Sequence, residues 1–238
     1  MDKRWEFTGE TKTFFNVVLR RIKATVTFTL KCGIKVNAGE VGGWIEKESN
    51  LGCDAQVSGD AWVSGDAWVF GDARVYGDAQ VSGDARVYGD ARVYGDARVF
   101  GYAQVYGDAW VSGDAQVYGN ARVFGDAQVY GDARVYGDAW VFGNARVFGD
   151  AQVFGNAHYL LIGRIGSRAE FTTFTRDKAG TIYVSCGCFY GTLVEFRAKV
   201  QRTHGDNKHG RVYQAAADLA ELQIDTTPIE DEGVNGDA

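Results

Sequence analysis

Aspartate recurs at 18-residue intervals in Asp60, Asp78, Asp96, Asp114, Asp132 and Asp150, and aromatic residues recur at the same interval in Phe70, Tyr88, Tyr106, Phe124 and Phe142. Beside that aromatic series run Trp68, Arg86, Gln104, Arg122 and Trp140. Side chains of these types can hold a cation, imitate an anionic polymer or anchor a partner. The aspartates come one at a time, short of the six to eight oxygens that calcium needs. General-base chemistry would have to come from His158, His204 or His209, the three histidines present. Cys186-Gly187-Cys188 could be half a metal site, yet no second close cysteine pair completes it, so ordinary strand cysteines are the expectation. The sequence contains no nucleophile motif, phosphate-binding loop or zinc spacing, and it implies no cofactor and no metal.

The elements that position these residues come from a six-residue repeat. Blocks of the form Ala-x-Val-x-Gly-Asp run from Ala55 to Asn156, 17 in all, with Ala, Val and Gly in place in every one. The sixth place is Asp in 13 blocks, Asn in three and Tyr once, at Tyr102. In Ala-x-Val-x the side chains alternate across a strand, so Ala and Val face one way and both x residues the other. Gly-Asp and Gly-Asn turn the corner, Gly by accepting positive φ and Asp or Asn by bonding nearby backbone. Three blocks close a triangular coil. The 17 blocks predict almost six coils, with Leu51-Gly52-Cys53-Asp54 as a degenerate eighteenth block, and a prism about 25–30 Å long.

Residues 1–50 read as an N-terminal β cap and lead-in. Positions 11–36 alternate apolar and polar, and 36–51 form a Gly-rich turn containing Trp44. Residues 161–225 read as a ββαα flank. It has a hairpin over 169–190 turning at Asp177-Lys178-Ala179-Gly180, a helix from the capping box at Thr192 and Glu195 to about Thr203, and a second helix from about Arg211 to Leu222. The acidic tail 226–238 is expected to be disordered. A net charge of −6, from 25 basic and 31 acidic residues, argues against a general phosphate-binding surface, so direct nucleic-acid binding is not expected. No signal-peptide pattern opens the chain and no apolar run reaches membrane-spanning length. Reduced cysteines (Cys32, Cys53, Cys186, Cys188) in a cytoplasm, with no membrane partner, are the expectation.

The Val-x-x-x-Ala-x pattern over residues 51–160 resembles the hexapeptide repeat of left-handed parallel β-helix proteins, which implies a mainly β fold and supplies the left hand. The lead-in GEVGGWIEKESNL and the later CGCF-x-GTL-x-EF segment resemble uncharacterised phage and prophage proteins with GDA-x-V repeats, which implies a viral origin, a bacterial host cytoplasm and no assigned reaction. Many hexapeptide-repeat proteins are acetyl-coenzyme A-dependent acyltransferases. Here no block carries an inserted loop or a histidine, and His158 merely follows the last block. The chain is therefore expected to be a non-enzymatic interaction protein. Thirteen of the 17 second outward places are aromatic, forming ribbons larger than a monomer usually leaves open. Either copies of the prism pack together through aromatic faces or a host protein covers one, with inhibition of a defence or nucleic-acid-processing protein as the expected role. The corner carboxylates could instead mimic a nucleic-acid backbone, and the alternatives are a decoy or sponge for nucleic acid or a nucleotide signal, and an acyltransferase of the hexapeptide-repeat class.

Overall fold

Val87, Val105 and Val123 pair one above another at 18-residue spacing, and the whole fold follows from that register. In the computed structural model, which describes residues 3–14, 16–30, 33–52 and 54–229, every block contributes one short rung, and the rungs stack in parallel on three faces. The first face runs from Gln56–Val57 to Arg146–Val147, the second from Trp62–Val63 to Gln152–Val153, and the third from Trp68–Val69 to Trp140–Val141. Each rung donates its amides to the next coil. Arg86 N reaches Ala103 O at 2.9 Å and Tyr88 N reaches Val105 O at 3.0 Å. The repeat valines and alanines are all buried and form one continuous core. The protein is thus mainly β, a parallel solenoid of about six turns followed by a sheet and two helices.

This directionality leaves carbonyls at the N-terminal end of the coil and amides at the C-terminal end, and each set needs its own kind of cap. Val41–Ile45 was expected to be a turn. It is instead a strand that pairs in parallel with the second face, Trp44 opposite Trp62 and Ile45 opposite Val63. Ile45 takes the Val place. Gly43 takes the Ala place, where a Cβ would lie 2.6 Å from Ala61 O. On its other edge this strand pairs antiparallel with a hairpin, Trp5–Phe14 and Val17–Ala24. The fully buried Asn50 donates its amide to Ala67 O at 2.8 Å and Gly65 O at 3.0 Å, so a side chain replaces the missing coil.

At the other end acceptors are required. Asn156 Oδ1 accepts from Trp140 N at 3.1 Å, Thr173 Oγ1 from Arg146 N at 3.0 Å, and His158 Nδ1 from Phe154 N at 3.3 Å. The flank that supplies Thr173 is larger than a hairpin. Tyr159–Ile165, Glu170–Arg176, Ile182–Cys186 and Phe189–Thr192 form a four-stranded antiparallel sheet. Against it pack α1 (Leu193–His204), with the expected Thr192–Glu195 capping box, and α2 (Lys208–Gln223), capped by Asn207. The expected start at Arg211 was late because Asn207 bonds the amides of His209 and Gly210 and so opens the helix one turn earlier. Beyond α2, Ile229 N donates to Lys178 O at 2.9 Å, which ties the first tail residues to the 177–180 turn. The rest of the expected disordered tail, along with Cys32 and Cys53, lies outside the described residues. Among the described residues no helix is long and apolar enough to cross a membrane.

Candidate interaction surface

The third face brings the predicted ribbon together as a single column. Phe70 and Tyr88 stack with centroids 4.9 Å apart, Tyr88 and Tyr106 at 4.8 Å, Tyr106 and Phe124 at 4.9 Å, and Phe124 and Phe142 at 5.5 Å. Interplanar angles fall from 9° to 3° to 1° along the first three pairs, so the column is flattest at Tyr106 and Phe124. Those two sit on the longest rungs of the solenoid, Gln104–Gly107 and Arg122–Gly125. Each interior ring is covered on both faces by its neighbours and turns only its edge outward. Burial, aided by the neighbouring Tyr106 phenol, raises the Tyr88 phenol above its ordinary value, against the pull of Arg122 and Arg86.

Tryptophans close the adjoining column. Trp68 stacks on Phe70 at 4.2 Å with its plane tilted by 27°, and the Arg122 guanidinium sits 4.9 Å over Trp140. Arg86 and Gln104 occupy the rungs between. Trp68, Trp140 and Phe142 remain more than 40 % exposed. Among the described residues, a ring from outside the solenoid meets this face only at its C-terminal end, where Tyr159 stands edge-on to Phe142.

The other two faces are broken or covered. On the first, Ser112 interrupts Tyr76, Tyr94, Tyr130 and Phe148, and Tyr190 of the cap sheet lies 4.0 Å from Phe148. On the second, Ser64 and Ser82 precede Phe100, Tyr118, Tyr136 and Phe154, and Phe14 of the hairpin lies against Trp62.

The acidic ladder is placed where its spacing predicts, with Asp60, Asp78, Asp96, Asp114, Asp132 and Asp150 all exposed along one corner. Its bonding differs from expectation. Among the described residues these carboxylates accept no backbone amide; at Asp60 and Asp78 the corner amide donates to the next coil instead, Asp78 N to Gly95 O at 3.0 Å. Among the described residues Asp60 alone in the ladder accepts a hydrogen bond, from Trp44 Nε1 at 3.5 Å. Tyr102 takes the place of an aspartate at another corner. Its amide donates to Gly119 O at 2.9 Å, so the coil is undisturbed and the ring is 64 % exposed.

The remaining candidates have structural surroundings. His158 is buried edge-on against Phe154, and desolvation, aided by the nearby Arg176 charge, lowers its pKa despite Asp225. Among the described residues no group of three or more His, Cys, Asp or Glu side chains is placed to hold a metal. Sequence reasoning missed Arg176. It is fully buried and donates to the carbonyls of Asp177, Asp225 and Lys178 at 3.0, 3.0 and 3.2 Å. Its position in a β-branched, half-apolar strand was the available signal.

Segments 55–71, 67–83, 79–93, 91–104, 115–129 and 127–143 match the family model of the YdcK β-solenoid repeat. This chain is a β-solenoid repeat protein. The matched segments begin at the first full block and lie wholly within the rungs, so the likeness concerns the prism and not the caps. A search of curated proteins found no match.

Proposed function

We propose that the solenoid is a rigid, non-catalytic scaffold whose third face binds a host protein, in keeping with the phage-type resemblance of its flanking segments. The observation that carries this reading is the unbroken column from Phe70 to Phe142, flanked by Trp68 and Trp140 and, among the described residues, met by a ring from outside the solenoid only at Phe142, while serines interrupt the aromatic series of both sister faces. Tyr, Trp and Arg are the types most often found at binding hot spots, and rigid rings lose little entropy on association. Because the ring faces are spent on each other, the surface offers electropositive ring edges and phenol hydroxyls. Such a surface suits backbone carbonyls, carboxylates and aliphatic side chains of a protein. It does not suit nucleic-acid bases, which need a free ring face to stack on. An acyltransferase would need a free imidazole, whereas the Nδ1 of His158 is taken by the Phe154 amide of the last coil.

The test is capture from host lysate with wild type, with Tyr106→Ser plus Phe124→Ser, and with Asp114→Asn plus Asp132→Asn. The aromatic pair should cost at most about 1–2 kcal/mol of stability, and affinity should fall at least about 30-fold. The acidic pair should bind as wild type. Loss of binding in the acidic variant with retention in the aromatic one assigns the function to the corner instead.

A further inference from the structure

The cap sheet holds a second surface, remote in kind from the ribbon. Cys186 and Phe189 are register partners, so Gly187 and Cys188 form a two-residue hairpin turn, with Gly187 at φ 60°. Both cysteines are free thiols and line one cavity of about 190 Å³. Each sulfur meets a donor. Arg168 Nη1 lies 3.5 Å from Cys188 Sγ, and the Thr172 hydroxyl donates to Cys186 Sγ at 3.2 Å. The cavity has an apolar wall of Phe189, Phe196 and Val200 and a polar side that carries Arg168 and Lys199 beside Glu170 and His204. Cys188 is exposed while Cys186 is half-buried behind it. Residues two apart across a tight turn bring their Cα atoms to roughly 5–6 Å, within the span of a disulfide.

We propose that Cys186-Gly187-Cys188 is a dithiol site that exchanges with small anionic disulfides, with Cys188 as the attacking thiol and Cys186 as the resolving one. The Cys188 thiolate attacks one sulfur of R–S–S–R. The S–S bond breaks, RS⁻ departs, and a mixed disulfide remains in the cavity with its anionic group against Arg168 and Lys199. The Cys186 thiolate then attacks the Cys188 sulfur and expels the second RS⁻. The protein dithiol is oxidised by two electrons to a disulfide, the small disulfide is reduced to two thiols, and the two cysteine protons end on those thiols.

The experiment uses the full chain with dithiobis-nitrobenzoate as the anionic probe and hydroxyethyl disulfide as the neutral one. Wild type should show a fast phase releasing two equivalents of thionitrobenzoate, and peptide mapping should find Cys186 joined to Cys188. Cys186→Ser should release one equivalent and keep the adduct on Cys188, and Cys188→Ser should abolish the fast phase. Arg168→Gln, a surface change that should leave the melting temperature unaltered, should slow the anionic probe about ten-fold more than the neutral one. The proposal is overturned by a fast phase that survives Cys188→Ser or maps to Cys32 or Cys53. A persistent Cys188 adduct in wild type, or equal slowing of both probes in Arg168→Gln, also overturns it.

Discussion

Gly107→Ala should destabilise the solenoid far more than one methyl group elsewhere. Gly107 sits at φ 71°, and a Cβ there would lie 3.1 Å from Gly125 N and 3.3 Å from Gly125 O. The left-handed conformation costs an L-residue about 1–2 kcal/mol. The close approach adds to that, because both contact atoms are backbone of the next coil and cannot swing away. Relief requires opening the gap between coils by a few tenths of an ångström, directly beside the Tyr106–Phe124 stack at 4.9 Å. The sum is about 2–3 kcal/mol, read as a fall of about 1 M in the urea midpoint. Gly155→Ala is the matched control. It lies at φ −159°, an extended conformation open to any residue, with nothing within 4 Å of its Cβ. Its midpoint should move by less than about 0.2 M. Urea titration by circular dichroism on both variants decides the matter. Equal shifts, or a wild-type midpoint for Gly107→Ala, would refute the stacked-corner account.

Three further outcomes follow from the core and the caps. Val105→Asp puts an unpaired charge at a fully buried position and should cost several kcal/mol, read as loss of the cooperative thermal transition; a wild-type melting temperature would exclude the coil packing described above. Arg176→Met strands the carbonyls of Asp177, Lys178 and Asp225 and should cost about 3 kcal/mol, with amide exchange at 225–229 rising first; unchanged protection there would refute its role as a staple. His158 must be neutral to accept from Phe154 N, and its folded pKa is lowered from 6.5, so the unfolded chain binds the extra proton more readily. The stabilisation is therefore complete above about pH 6.5 and is lost as pH falls below it. His158→Gln, which keeps an acceptor, should flatten the melting temperature between about pH 7 and pH 5, and an unchanged slope would count against the cap.

The solenoid was legible because its residues are dictated locally. Val and Ala alternate inward, and a corner every six residues admits Gly, so face, register and coil number follow from spacing alone. What was not legible depends on the next coil or on the ends. Corner aspartates read as backbone caps because Asp usually serves that way in an isolated turn. At Asp60, Asp78 and Asp84 stacking gives the corner amide a glycine carbonyl instead, and no single block carries that information. Gly43-Trp44-Ile45-Glu46 is a rung disguised by substitution. Its apolar residue keeps the Val place, yet Gly for Ala made the stretch look like a turn. Asn50, Asn156, Thr173 and His158 are caps whose partners lie 4 to 27 residues away, and only the polarity of the coil ends explains why donors are needed at one end and acceptors at the other.

The orientation of the rings was equally hidden, and it limits what the ribbon can bind. A sequence pattern places aromatic residues on a face without saying whether faces or edges point outward. Edges repeating at 4.8 to 4.9 Å make a fine comb. A partner helix laid along it advances about 5.4 Å per turn, so the two fall out of step by about 0.5 Å at each rung and by roughly half a rung after four or five. A strand laid along it repeats same-side residues at about 6.6–6.8 Å, which is worse. Whatever protein lies along the third face can keep register over only a few rungs. Contact should therefore be local, and the place best suited is the flattest one, Tyr106 over Phe124 at 1°, on the two longest rungs. If the partner instead crosses the column, it meets the same two rings at its centre. In either orientation these rings, and not the whole ribbon, are where substitution should separate binding from folding.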